Sequence, residues 1–123
     1  MEKVEITVRE MRNLYMALMT IAQKELPFKA SYAIARTRRA LEPEWEASED
    51  VRHKLAEQQD QQKAEREWED FLRSTVDVRV HQVDAELLGD SISPAVLDGL
   101  WPMLRFKGEQ NLQSDELNDE SDA

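Results

Sequence analysis

Apolar residues recur at helical spacing from Met11 onward: Met11, Leu14, Tyr15, Leu18, Met19, Ile21, Ala22 and Leu26 fall at i, i+3, i+4, i+7 intervals. Such a set lies along one side of an α-helix, so the pattern demands a helix with a core-facing stripe. Thr7 and Glu10 stand where a capping box opens it, and the predicted helix covers 8–25. Only three glycines occur in the chain, which suits long helices better than a many-turned β fold. Met11, Met16 and Met19 are expected as core filler, since the unbranched thioether packs irregular gaps.

Leu26-Pro27 breaks this helix, and a second begins near Phe28. Ala30, Ile34, Leu41, Trp45, Val51 and Leu55 fall close to a 3.5-residue repeat, the spacing of one helix packed along another. Pro43 lies inside that pattern and either kinks or splits the helix. The repeat continues in phase on both sides, which favours a kink in one helix over 28–57. The Gln-rich stretch around 58–63 reads as exposed helix with room for a bend, although no Gly or Pro marks one. Trp68, Phe71 and Leu72 return to the core in a helix over 60–73.

Two short alternating runs remain. Val4, Ile6 and Val8 alternate with polar residues, as do Val76, Val78 and Val80, giving strands near 3–7 and 75–81 that most simply pair with each other. Ser93-Pro94 is an N-cap followed by proline at the first helical position, opening a last helix over 94–105 that Pro102 tightens or ends. The expected fold is mainly α with a small two-stranded β element, an α+β arrangement built as a helical hairpin or bundle. One domain covers 1–106. The segment 107–123 has two leucines and no aromatics. It cannot bury enough apolar surface to offset its ordering entropy, so it is expected to be a disordered acidic tail.

Charge is unevenly spread within the net −10. Residues 1–40 carry 8 bases against 4 acids, residues 41–70 carry 4 against 11, and the tail carries 1 against 6. A basic first third and an acidic middle can pair within the chain or between copies. The overall acidity argues against non-specific duplex binding. There are no cysteines, so disulfides, thiolate nucleophiles and Cys-based metal centres are excluded, in keeping with a reducing cytoplasm. The first residues form no signal-peptide core. No apolar run approaches the ~18 residues of a membrane span.

The segments Leu26-Pro27-Phe28-Lys29 and Tyr32-Ala33-Ile34-Ala35 are followed in order by a Val-rich run from Val76 to Val83, then Leu87-Leu88 and Ser93-Pro94. In this order the chain resembles a family of small uncharacterised tailed-phage proteins, over most of residues 4–105. The resemblance implies a phage or prophage origin, a helical fold, and a place in the host cytoplasm or on the virion. It brings no activity and no catalytic residues. Pro43 departs from the family's long charged helix.

No constellation points to catalysis. Ser31, Ser48, Ser74, Ser91 and Ser93 have no base signature nearby, and no Gly-rich loop follows a strand. His53, four residues after Glu49 and beside the Glu46/Asp50 face, could join a metal site only if Glu65 and Glu69 folded back towards it. A solvated helix face is the simpler reading, and neither metal nor cofactor is expected. Lys24, Lys29, Arg36, Arg38 and Arg39, with Phe28 and Tyr32 interleaved, could contact nucleic-acid phosphates. Glu42, Glu46 and Asp50 fall at i, i+4, i+8, where like charges weaken a helix unless a basic surface relieves them. That surface could be the Arg cluster of a second copy, or a host nucleic-acid-binding protein for which the carboxylates mimic phosphates.

The leading expectation is a non-enzymatic, phage-derived protein-binding component, acting in virion assembly or on a host factor. Its partner would be a phage or host protein, with a homodimer as one form. Contact is expected through Arg36, Arg38, Arg39, Glu42, Glu46 and Asp50. An acidic nucleic-acid-mimicking inhibitor of a host nuclease, polymerase or defence complex is the first alternative, and a nucleic-acid binder using residues 24–39 is the second.

Overall fold

The computed structural model describes residues 1–90 and 92–106. The expected disordered tail, 107–123, and Ser91 lie outside the described residues. The chain is mainly helical. Strand β1 (Glu2–Thr7) leads into α1 (Val8–Ile21), and α2 (Phe28–Ala56) and α3 (Gln61–Arg73) form a hairpin. Strand β2 (Thr75–Val80) and the short β3 (Val83–Asp84) follow, then a 3-10 turn at Ala85–Leu88. Helix α4 (Pro94–Leu100), a second 3-10 turn at Trp101–Met103 and β4 (Leu104–Arg105) complete the order. Among the described residues, no helix is long and apolar enough to cross a membrane.

The strands pair as the alternation suggested. β1 and β2 are antiparallel, with Ile6 opposite Val76 and Glu2 opposite Val80. Thr7 then caps α1: its hydroxyl accepts from the Glu10 N–H at 3.0 Å, while the Thr7 N–H donates to the Glu10 carboxylate at 2.9 Å. Helix α1 is the centre of the packing and touches α2, α3, α4 and the sheet. Met11, Leu14, Leu18 and Ile21 on its inner face are almost fully buried. Each such side chain contributes about 1.5–3 kcal/mol by leaving water. Among the described residues, the buried apolar side chains apart from Ala64 join in one cluster.

Several details depart from expectation. Helix α1 ends at Ile21, not Glu25: the Lys24 N–H turns back onto the Ile21 carbonyl at 3.0 Å, and Pro27 holds Leu26 out of helical backbone. Met16 and Met19 are exposed, so they are not core filler. At about 100° per residue they fall on the side of α1 away from Met11, Leu14 and Leu18. Helix α4 stops at Leu100. Pro102 has no N–H to return to the Asp98 carbonyl, so the Trp101 N–H takes it instead and the chain tightens into a 3-10 turn. A second two-stranded sheet, β3 parallel to β4 with Val83 opposite Leu104, was not anticipated.

Helix α2 passes through Pro43 as one element of 29 residues, about 43 Å long. Its core face is built largely from small residues: Ala30, Ala33, Ile34, Thr37, Leu41 and Ser48 are buried, while Trp45, Val51 and Leu55 are half-buried. The chain turns at Glu57–Asp60, where the Asp60 carboxylate accepts from the Lys63 N–H at 3.1 Å and starts α3. This side-chain cap does the work that no glycine or proline performs. Gly89, with φ of +80°, closes the first 3-10 turn in a conformation other residues rarely adopt.

Candidate interface along helix α2

The six sequence-predicted contact residues all lie on α2, and they do not share one environment. Arg36, Arg39, Glu42, Glu46 and Asp50 are exposed. Arg38 is half-buried and turns towards α1, where it lines a cavity of about 230 Å³ with Ile21, Leu26 and Ile34. Among the described residues, Arg39, Glu42, Glu46 and Asp50 form no ion pair or hydrogen bond through their side chains, and Arg36 reaches only Tyr32, at 3.4 Å from its hydroxyl. Pairing of the Arg cluster with the chain's own acidic middle therefore does not occur within one copy.

At the N-terminal end of the same face stands an aromatic group that sequence reasoning had treated only as spacing between cations. Phe28 is 82% exposed and Tyr32 48%. Their rings stack with centroids 6.2 Å apart, and His81 meets Tyr32 edge-on at 5.5 Å. The Arg36 guanidinium lies 5.6 Å from the Tyr32 ring centre. Beside them runs a groove of about 310 Å³, lined by Phe28, Lys29, Tyr32, His81, Leu87 and Arg105. The main chain fixes this arrangement from beneath: the His81 N–H donates to the hydroxyl of fully buried Thr37 at 2.9 Å, tying the end of β2 to α2. Arg105 pairs with Asp84 at 3.2 Å. The approach is off the hydrogen-bonding angle, so the buried Arg105 Nε has a charge contact but no hydrogen bond.

A strongly built polar cluster lies elsewhere, where α1, α2 and α3 meet. Arg12 donates through Nη1 to Ser48 Oγ at 2.6 Å and through Nη2 to Glu49 Oε2 at 2.8 Å. Its guanidinium sits 4.3 Å from the Trp45 ring centre and 5.1 Å from that of Trp68, while Tyr15 stacks on Trp45 at 4.8 Å. Arg52 grips the same carboxylate through Nε and Nη2. Hydrogen bonding from Arg52, and then from Arg12, holds the Glu49 carboxyl down at about 2 against the opposing effect of burial. Glu49 is thus occupied by two arginines, and Glu69 pairs with Arg9 at 2.7 Å, so neither is available beside His53. Among the described residues, no group of three or more His, Asp or Glu side chains is placed to hold a metal ion. The cluster joins three helices through a single guanidinium.

The sequence signal for the aromatic group was present: Phe28 and Tyr32 stand four residues apart, off the apolar repeat that marks the core face of α2. No protein-family model, curated protein or solved structure matches this chain.

Proposed function

We propose that this chain is a non-enzymatic protein-binding component that grips its partner at the start of α2, through Phe28 and Tyr32 and the groove beside them. The observation that carries this is the exposure of Phe28, 82% of whose surface faces water. Leaving a phenyl ring there forgoes roughly 1.5–3 kcal/mol of burial, and exposed aromatics beside a groove are the usual anchors of protein interfaces. The rim is cationic through Lys29 and Arg36, so the fitting partner offers an apolar side chain flanked by carboxylates. The absence of a cysteine and of any nucleophile-base pattern supports the non-enzymatic part.

Stacked rings among cations also suit single-stranded nucleic acid. Against that, the same face continues into Glu42, Glu46 and Asp50, which would repel a phosphate backbone extended along the helix. A phosphate-mimicking inhibitor fits less well, because the exposed cations Arg36 and Arg39 adjoin the acidic stripe on the same face. On the resemblance to tailed-phage proteins alone, the partner is to be sought among virion components or host factors.

The test is comparative capture with wild-type chain and a Phe28→Ser/Tyr32→Ser variant. The variant should keep its fold by circular dichroism and lose a protein that the wild type retains. Identical captured proteins would refute the role of this groove, and retention of a single-stranded oligonucleotide alone would favour the nucleic-acid reading.

A further inference from the structure

We infer that the outward face of α2 pairs with the same face of a second copy, antiparallel, with the two-fold axis at Pro43. This goes beyond the Phe28 groove and does not depend on it. Arg36, Arg39, Pro43, Glu46 and Asp50 follow one another at intervals of three, four, three and four residues, and all are exposed. That spacing keeps side chains along a single seam of a paired helix.

The charges on the seam are self-complementary about its centre. Arg36 lies seven residues before Pro43 and Asp50 seven after it; Arg39 lies four before and Glu46 three after. At 1.5 Å per residue, the outer pair sits about 10 Å to either side of the proline. In an antiparallel arrangement Arg36 of each copy faces Asp50 of the other, and Arg39 faces Glu46. A two-fold axis repeats each pair, so four complementary pairs form. A parallel arrangement would set like charges against each other.

Two further features favour this occupant. Within one copy, Arg39, Glu42, Glu46 and Asp50 form no ion pair among the described residues, so no direct contact with a base there offsets the repulsion along Glu42, Glu46 and Asp50. The centre of the seam is small: Pro43 is flanked by Ala40 and Ala47, of which Ala47 is exposed. Small residues at the crossing let two helices approach closely. With charge rather than apolar area holding it, the dimer should be weak and sensitive to salt.

Light scattering on the full chain at low salt, at about 100 μM protein, should give a mass approaching double the 14.3 kDa of one copy. Raising the salt about tenfold should return it to the monomer. Arg36→Glu/Arg39→Glu makes the seam wholly acidic, and Glu46→Arg/Asp50→Arg makes it wholly basic. Each variant alone should be monomeric, and an equimolar mixture of the two should recover the doubled mass. A wild-type chain that stays monomeric at low salt would overturn the inference. So would a dimer that survives either charge reversal, or a mixture that fails to associate although both variants retain the wild-type circular dichroism.

Discussion

Truncating Arg12 to alanine should weaken the fold more than the loss of any other charged side chain described here. The side chain is 14% exposed and reaches across from α1 to two helices. Its hydrogen bond to the Glu49 carboxylate is worth about 1.5–3 kcal/mol. Its place between Trp45 and Trp68 adds about 0.5–2 kcal/mol. These contributions overlap, and Glu49 keeps Arg52 after the truncation, so the net loss expected for Arg12→Ala is about 2–4 kcal/mol. Against a total stability of about 5–15 kcal/mol that is a large fraction. Urea unfolding followed by tryptophan fluorescence should show a midpoint lower by about 1–2 M at unchanged slope. Arg12→Lys keeps the charge but loses the planar fork and the ring stacking, so it should fall between the two. If Arg12→Ala lies within about 0.5 kcal/mol of the wild type, or if lysine restores full stability, the three-helix clasp is not what holds these elements together.

Three other outcomes follow from the same structure. Gly99→Ala places a methyl 3.0 Å from both the Ala17 Cβ and the Asn13 carbonyl oxygen, so despite the better helix propensity of alanine it should lower the melting temperature, by about 1–2 kcal/mol of stability; an unchanged melt would disprove the close approach of α4 to α1. Pro43→Ala restores the N–H that α2 lacks towards the Arg39 carbonyl, and at this exposed position it should raise stability by about 1–3 kcal/mol; a loss would mean that the proline shapes the helix in a way the packing needs. The Glu49 carboxyl titrates at about 2 when folded, against 4.5 as its ordinary value. Its ion pairs therefore stabilise fully above about pH 4.5 and are lost as pH falls towards 2. The stability gap between wild type and Glu49→Gln should narrow over that window and be constant from pH 5 to 7, as urea titrations at each pH would show.

What could be read in advance depended on how far the cause lay along the chain. The Thr7–Glu10 capping box, the Ser93 cap and the alternating valines act within a few residues, and each appears as written. Met11 fills the core as expected, but Met16 and Met19 do not, because residue type was weighed above angular position: Met16 is as apolar as Met11 but points the other way. Buried Thr37 and Ser48 were missed because the search for a core favoured large apolar side chains, whereas α2 meets its neighbours through small ones. β3 and β4 are two residues each and too short to show alternation. Arg12 could not be assigned a partner from sequence, since Ser48 and Glu49 lie 36 and 37 residues away and only the packing of α1 against α2 brings them together. The cations and carboxylates of α2 were legible as a pattern. Their lack of partners within one copy was not.

The hairpin of α2 and α3 has an uneven interior. Between Glu49 and Trp68 only Ala64 is buried, so beyond the Arg12 clasp the two helices run on with few apolar contacts between them. Segments with sparse contacts open at a small fraction of the global free energy. Amide protons from Asp50 to Arg66 should therefore exchange well before those of α1, and the boundary should fall at the turn of α2 that holds Ser48 and Glu49. Fraying that starts at the hairpin tip would stop at a single guanidinium, leaving the body of the molecule closed while its arm breathes.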